Sequence, residues 1–261
     1  MHFKNDRSKD GRRSRITTFL FFISALLYAA VGFGGGSTYN ALLVLADFDF
    51  RYIPIIALSC NIVVVMGNCV RYQLKDLIPW RFSIPLIMLS VPASFIGGSI
   101  QVNEIIFMLL LGMGLVTSGF LMWIKPNESE QNLVKDKYNI YSNMVVSLLL
   151  GLLAGIIGIG GGIFFAPILH LQNTLPSKKI SAFSSIFILV NSIAGLLGQL
   201  YKNFNTEIEF DFNEYSFLII AVILGGQIGN YFGVKIFSGS IVRRLTSVLV
   251  IYVGIRLLIN I

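Results

Sequence analysis

Long apolar stretches, almost free of charged residues, alternate with short polar stretches along this chain. They form eight main hydrophobic segments. Each is near the roughly 20 residues that a helix needs to cross a bilayer, or reaches that length with its flanks. The segments cover residues 16–36, 57–70, 82–102, 105–124, 143–172, 180–201, 215–234 and 245–255. The pattern predicts an all-α, polytopic integral membrane protein with about eight transmembrane helices.

A glycine cluster occurs twice, in matching hydrophobic surroundings. The two copies lie 126 residues apart and comprise Gly32, Gly34, Gly35 and Gly36, then Gly158, Gly160, Gly161 and Gly162. The same offset superimposes Leu43 on Leu169 and Ser59 on Ser185. We therefore expect two four-helix repeats, each opening with a glycine-broken helix. Broken helices at corresponding positions of two halves indicate a transporter's binding site.

A short apolar piece follows each glycine cluster, at residues 38–46 and 163–171. Nine residues of helix are only about 14 Å long, against a hydrocarbon core of about 30 Å. These pieces are predicted to be half-helices or re-entrant segments. Irregular backbone at that depth is tolerated only where it faces protein or a water-filled cavity.

The repeats divide the chain into four parts. They are a basic cytoplasmic N-terminus (residues 1–15), a first transmembrane repeat (16–124), a polar linker (125–141) and a second transmembrane repeat (142–261). Counting crossings puts the N-terminus and the loop at residues 71–81 inside. The same count puts Lys178 and Arg243 outside, and one uncounted segment would bring them inside. Parallel and inverted repeats both stay open.

Composition and charge agree with a multi-pass protein of a bacterial inner or plasma membrane. The chain is 55% hydrophobic and 13% charged, whereas soluble domains carry about 25% charged residues. A basic run directly before a membrane segment is better interpreted as a cytoplasmic anchor than as a nucleic-acid site. The net charge of +7 has the same explanation. We expect the lipid bilayer as a partner and no nucleic acid.

Cofactor and metal chemistry find little support. The chain has two cysteines and two histidines, without metal-ligand or disulfide spacing. Neither glycine cluster completes a nucleotide-binding motif, because no lysine follows and the sixth position is Ser37 or Ile163. We predict no cofactor and no metal.

The glycine clusters favour anion binding instead. Glycines before a half-helix leave its first N–H groups pointing at one spot, at the positive end of the helix dipole. Such groups bind an anion without a buried lysine or arginine, and Arg256 is the only basic residue deep within an apolar segment. The middle segments carry no acid, as a proton relay or cation site would usually need. The candidate substrate-binding residues are Gly34, Gly35, Gly36, Ser37, Asn40, Ser59, Asn61, Gly160, Gly161, Gly162, Ser184, Ser185 and Asn191.

These features resemble the TauE/SafE sulfite exporter family, also called the toluene sulfonate uptake permease family. The resemblance covers nearly the whole chain and is strongest at residues 151–168 and 184–195. The first half departs from the pattern, with Ala41 where the second half has Pro167. The resemblance implies transport of sulfur oxyanions, organosulfonates or related organic anions.

The leading hypothesis is a permease for small anions. With no embedded acid to carry a coupling proton, uncoupled movement is simplest, and an inside-negative potential then favours export. An intramembrane enzyme is the first alternative, with His170 as its lone candidate base in the apolar region. A non-transporting scaffold is the second. Homo-oligomerisation stays open.

Overall fold

The computed structural model describes residues 4–31, 33–123, 140–172, 175–205, 212–232 and 239–259. These residues form ten helices. The helices are α1 (Lys4–Val31), α2 (Gly36–Leu45), α3 (Ile53–Leu74), α4 (Trp80–Ser99), α5 (Glu104–Trp123), α6 (Ile140–Ile157), α7 (Gly162–Leu171), α8 (Ser177–Asn205), α9 (Phe212–Phe232) and α10 (Gly239–Ile259). The predicted all-α class is confirmed. Most of the linker and the acidic stretch at 206–211 lie outside the described residues.

Five of these helices contain segments long and apolar enough to cross a membrane, within the described ranges. They are Ile53–Leu74, Trp80–Ser99, Glu104–Leu121, Ile140–Ile157 and Ser177–Phe204. Shorter apolar helical segments lie at Ile16–Ala30, Tyr215–Gly229 and Ser247–Ile259. The protein is therefore a multi-pass membrane protein. Its division into two four-helix repeats stays a prediction.

The distribution of side chains is that of a membrane protein. Large apolar residues face outward on several helices, as Met88 (70% exposed) and Phe120 (65%) do. Polar side chains are buried between the helices, where Asn61 and Asn191 are both 0% exposed. A soluble domain shows the opposite preference. Lipid is the environment in which an apolar exterior of this extent is stable.

Helices α1 and α9 pack closely and run in the same direction. A Cβ built on Gly225 would lie 2.3 Å from the carbonyl oxygen of Phe22. One turn further along both helices, a Cβ on Gly229 would lie 2.2 Å from the carbonyl oxygen of Leu26. Glycine is required at both positions because any side chain would collide with the neighbouring backbone.

Helices α4 and α6 make an equivalent parallel contact. Gly151 lies against Ser90, and Gly155 lies against Ser94 one turn later. A Cβ on these glycines would be 2.4 Å and 2.0 Å from the respective carbonyl oxygens. Small residues thus allow close backbone approach in both pairs.

Helix α3 runs parallel to α9, and therefore parallel to α1. The rings of Tyr52 and Tyr215 are 6.0 Å apart at the start of the two helices. Further along, Gly226 lies next to Val64. The start of α3 is thus at the same end of the molecule as the start of α1, and the loop at 71–81 is at the other end. Our crossing count, which placed the N-terminus and that loop on one side, is wrong.

Candidate functional site

Both short helices begin at glycines with left-handed backbone. Gly35 precedes α2 with φ of +86°, and Gly161 precedes α7 with φ of +73°. Gly158 and Gly160, in the same connection as Gly161, also have positive φ. An L-residue in this conformation costs about 1–2 kcal/mol, so these positions favour glycine for a backbone reason.

Each short helix folds back along the helix before it. The hydroxyls of Tyr28 and Thr38 are 2.8 Å apart, and the ring of Tyr39 stacks on that of Phe21 at 4.9 Å. The chain has therefore reversed at the first glycine break, because α2 meets successively earlier residues of α1. Such a reversal makes α1 and α2 a helical hairpin.

The second hairpin is defined by one hydrogen bond at its open end. Gln172, directly after α7, donates from Nε2 to Oδ1 of Asn143, near the start of α6, over 3.1 Å. Near the closed end, a Cβ on Gly161 would lie 3.1 Å from the Leu150 carbonyl oxygen. Two short helices that begin at the glycine breaks are thus observed, and both turn back toward the end from which their hairpin started.

The two breaks meet at the side chain of Asn61, near the middle of α3. A Cβ on Gly34 would lie 2.5 Å from Oδ1 of Asn61, and one on Gly36 would lie 2.5 Å from Nδ2. The same Nδ2 donates to the carbonyl oxygen of Ile159, between the glycines of the second break, at 3.3 Å. One amide therefore lies between both breaks, and it fits only because Gly34 and Gly36 have no side chains.

A second amide joins the two hairpins. Asn40, in α2, donates from Nδ2 to the carbonyl oxygen of Ile157, the last residue of α6, over 2.7 Å. Gln199, in α8, donates to the carbonyl oxygen of Gly155 over 2.7 Å. The last carbonyls of a helix lack intrahelical partners. Side-chain amides from other helices satisfy them here.

The first turn of α2 contains backbone N–H groups that have no partner within the helix. Its first helical hydrogen bond runs from the N–H of Tyr39 to the carbonyl of Gly35 at 3.0 Å. The N–H groups of Gly36, Ser37 and Thr38 come before that bond and have no partner within the helix. In α7 the first turn is tighter, since the N–H of Gly162 donates to the carbonyl of Gly160 at 2.9 Å. The start of α2 thus has more N–H groups without a backbone partner than the start of α7 has.

Several buried polar atoms near the breaks have no hydrogen-bond partner among the described residues. All belong to side chains that are 0% exposed. The atoms are Ser37 Oγ, Asn40 Oδ1, Asn61 Oδ1, Ser184 Oγ, Asn191 Oδ1 and Ser192 Oγ. Buried polar atoms are paired in the great majority of structures. The unpaired ones next to the breaks, on Ser37, Asn61 and Ser192, therefore indicate a place where a ligand or water binds.

The second half contributes to the same region through α8. Ile188 lies against both breaks, since Cβ atoms on Gly34 and Gly160 would each be within 3.2 Å of its Cγ2. Ser192 Oγ would be 3.1 Å from the Cβ on Gly160. Ser184 lies beside Gly162 through its carbonyl oxygen, at 2.9 Å from the built Cβ. These contacts bring α8 to the point where the two breaks meet.

Other sequence candidates form local contacts. Ser59 Oγ donates to the Ile55 carbonyl at 2.8 Å, and Ser185 Oγ donates to the Ser181 carbonyl at 3.0 Å, one turn back in the same helix. Such back-bonding satisfies a hydroxyl within its own helix. Asn191 links α8 to α4, because its Nδ2 lies 3.0 Å from Ser90 Oγ.

Three contributors carried little signal in the sequence. Gln199 and Ser192 are single polar residues in an apolar segment, where packing against a neighbouring helix accounts for them equally well. The signal that could find them is their position in the helix that matches the one after the first glycine cluster. Ile188 carries no signal at all, because one more isoleucine in an apolar helix looks like any other.

A cavity of 740 Å³ opens at the end of the molecule where α2 finishes and α3 begins. We call it the vestibule. Its charged lining residues are Asp47, Asp49, Arg51, Glu104 and Arg256. Arg51 donates from Nε to both carboxylate oxygens of Asp49 at 3.0 Å, and this hydrogen bonding lowers the pKa of Asp49. Arg256, although deep within an apolar segment, therefore faces an open cavity.

Comparison with known proteins gives a consistent result. A family model described as "Sulfite exporter TauE/SafE" matches residues 17–257. A probable membrane transporter protein of Sinorhizobium fredii is 30% identical over 240 residues, which cover 91% of this chain and 95% of that protein. A probable membrane transporter protein of Methanocaldococcus jannaschii is 30% identical over 192 residues, 70% of each chain. Solved structures offer no significant match.

Proposed function

The chain belongs to the sulfite exporter TauE/SafE family, and on that premise we propose that it is a permease that exports small anions, namely sulfur oxyanions or organosulfonates. Its relatives are described as probable membrane transporters. The observation that carries the anionic substrate is the meeting of the two glycine breaks at Asn61. There the first N–H groups of α2 lie in a buried, polar environment, in which several side-chain atoms have no hydrogen-bond partner among the described residues.

The electrostatics of this place favour a negative ion. The start of a helix carries the equivalent of about half a positive charge, and its free N–H groups point at the ligand. The side chains around the breaks are amides and hydroxyls, so the positive potential there comes from backbone. Such a site binds an anion without holding it as a buried arginine would. Weak binding suits a transporter that must release its substrate.

Equivalent helix contacts support two repeats that are inverted relative to each other. Gly97 lies against the Leu152 carbonyl, and Gly229 lies against the Leu26 carbonyl, each with a built Cβ at 2.2 Å. The two leucines are 126 positions apart, which is the offset of the glycine clusters. The two glycines are 132 positions apart, because the second repeat has six more residues between the paired positions, so the two contacts are copies of one another. Each repeat begins with a helix that packs on the other repeat.

The directions of the helices favour the inverted arrangement. The first helix of one repeat (α1) runs parallel to α3 and α9, whereas the first helix of the other (α6) runs parallel to α4. Inverted repeats can expose one central site to either side by exchanging conformations. We propose that alternate exposure of the glycine breaks moves the anion.

The proposed direction is export. An inside-negative potential acts outward on an anion with roughly 2.3 kcal/mol per charge per 100 mV. At equilibrium this corresponds to a concentration of a monovalent anion that is about fiftyfold higher outside than inside at 100 mV. Uncoupled movement therefore empties the cytoplasm of the substrate. Accumulation against the potential that needs a proton or sodium gradient would identify a coupled importer instead.

Flux of a panel of sulfur oxyanions and sulfonates into proteoliposomes tests the function. In Gly34→Ala, the three atoms nearest the new Cβ belong to side chains, the first being Asn61 Oδ1 at 2.5 Å. We expect at least tenfold lower flux from an inserted, folded protein. Gly226→Ala is the matched control, because its Cβ would meet nothing closer than 3.8 Å. Normal flux in Gly34→Ala would contradict the proposed site. Absence of flux for every anion would contradict the function and favour a scaffold.

A further inference from the structure

Three buried asparagines, one each in α2, α3 and α8, share one hydrogen-bonding pattern. Each donates its Nδ2 to a backbone carbonyl, over 2.7 Å for Asn40, 3.3 Å for Asn61 and 2.8 Å for Asn191. A backbone carbonyl can only accept, so it fixes the orientation of each amide. The remaining oxygen, Oδ1, can then only accept a hydrogen bond as well.

None of these three oxygens has a partner within the part of the chain that the structure describes. All three side chains are 0% exposed. A buried acceptor without a donor is unfavourable, and each such case calls for an explanation. The explanation that fits a transporter is a substrate that supplies the missing donor.

The place therefore combines two opposite requirements. The N-terminus of α2 offers N–H donors, which bind the oxygens of an anion. Asn40, in the second turn of α2, and Asn61, against Gly34 and Gly36, offer acceptors, which need a hydrogen on the ligand. Ser37 and Ser192 add hydroxyls that can do either. A plain, fully deprotonated oxyanion satisfies only the first requirement.

We infer that the transported ion is a monoanion that carries its own O–H donor next to an oxyanion group. This class includes singly protonated oxyanions and hydroxyalkanesulfonates, and the inference rests on the proposed function. The oxyanion group faces the start of α2, and the hydroxyl donates its one hydrogen to Oδ1 of Asn61, the acceptor that lies against the first break. A site built to bond a hydroxyl discriminates strongly against an analogue that lacks it, because its acceptors are then left unpaired.

A monovalent cation is the other ligand that neutral oxygens can bind. The positive end of the α2 dipole at the same place opposes a bare cation. For this reason the anion with a donor is favoured, and sodium dependence serves as an outcome of the test.

The test compares 2-hydroxyethanesulfonate with ethanesulfonate, two monoanions that differ by one hydroxyl. Flux of both is measured in the same proteoliposomes at one imposed membrane potential, with sodium or choline as the cation. We expect 2-hydroxyethanesulfonate to move at least tenfold faster, without a sodium requirement. Because the ratio is taken within one preparation, it does not depend on how much protein is folded.

Asn61→Ala removes this acceptor and should bring the ratio close to one. A ratio that falls in Asn40→Ala and stays in Asn61→Ala would assign the hydroxyl to Asn40 instead. The matched control is Asn68→Ala, two turns further along α3. Asn68 is equally buried, but its unpaired atom is the donor Nδ2, so its ratio should stay as in the wild type.

Equal flux of the two sulfonates in the wild type would overturn the inference and leave the proposed function standing. Sodium-dependent flux with no preference would identify the oxygens as cation ligands and would also overturn it. Flux of neither sulfonate, nor of any oxyanion in the panel, would contradict the proposed function itself.

Discussion

Asn61 determines how closely the two glycine breaks approach each other. Its amide fills the space that side chains on Gly34 and Gly36 would occupy and donates to the carbonyl of Ile159. The glycines at this contact are therefore of two kinds. Gly35 and Gly161 are needed for their left-handed backbone, whereas Gly34 and Gly36 are needed for space.

The distinction predicts different effects of alanine. In Gly161→Ala the new Cβ would lie no closer than 3.1 Å to its neighbours, but the alanine would have to adopt a φ of +73°. We expect it to lower the free energy of unfolding by about 1–2 kcal/mol. Thermal unfolding in detergent measures this, with Gly226→Ala as the control that should not destabilise. An unchanged unfolding temperature for Gly161→Ala would contradict the assigned backbone strain.

Loss of the Asn40 amide should also destabilise the protein. Asn40→Ala leaves the carbonyl of Ile157 buried and unpaired, at a cost of about 1–3 kcal/mol. Thr117→Val is the control, because Thr117 is exposed and bonds only the carbonyls one turn back in α5. Chemical unfolding in mixed micelles compares the two. Equal stability of both variants would show that the bond to Ile157 contributes nothing measurable.

At the scale of elements, the two hairpins are the features that depart from ordinary spanning helices. α2 and α7 have ten residues each, about 15 Å of helix. Neither could cross a hydrocarbon core of about 30 Å alone. α2 extends from the glycine break to the vestibule, because Val44 near its end lines that cavity. The helix thus covers the distance between the candidate site and the vestibule.

This geometry predicts one-sided labelling of α2. Val44→Cys should react with a membrane-impermeant thiol reagent from the vestibule side, whereas Ala41→Cys should not, because Ala41 is 0% exposed. The wild type is the background control, since Cys60 and Cys69 are both buried and free. Equal protection of both introduced cysteines would place α2 away from any aqueous cavity.

At the scale of the whole molecule, helix directions separate two ends. The starts of α1 and α3 share one end, together with the vestibule and its charged residues. The loop at 71–81 lies at the other. The basic run predicts a cytoplasmic N-terminus, and this prediction would place the vestibule on the cytoplasmic side and the loop outside.

Side-specific labelling can check this arrangement. Phe48→Cys in the vestibule and Lys75→Cys in the loop should react from opposite sides of the membrane, whichever end is cytoplasmic. Reaction of both from the same side would contradict the parallel directions of α1 and α3. The same experiment shows which end faces the cytoplasm.

The vestibule charges should modulate anion entry. Three acids and two arginines line it, so an approaching anion meets a slightly negative surface. Glu104→Gln should raise anion flux about two- to fivefold at low salt, since one surface charge contributes roughly 1 kcal/mol or less. The effect should vanish near 1 M salt, where the Debye length is about 3 Å. A salt-independent effect would indicate a change of structure rather than of charge.

The sequence by itself determined the class of molecule and the positions of the helix breaks. Hydrophobic segments of spanning length, and glycines that recur at a constant offset, are local properties that depend on composition and spacing alone. For that reason the short helices and most of the residues around the breaks could be predicted from it. The family resemblance rests on the same local features.

Only the tertiary structure decided which residues meet. Asn61 lies between both breaks, Asn40 and Gln199 reach the end of α6, and Ile188 touches both halves. These contacts join residues that are 25 to 154 positions apart in the chain. Helix direction was equally hidden, because a half-helix that turns back changes the number of crossings without changing hydropathy. Hydropathy measures how deep a segment prefers to lie, and it carries no information about which neighbour the segment packs against or in which direction it runs.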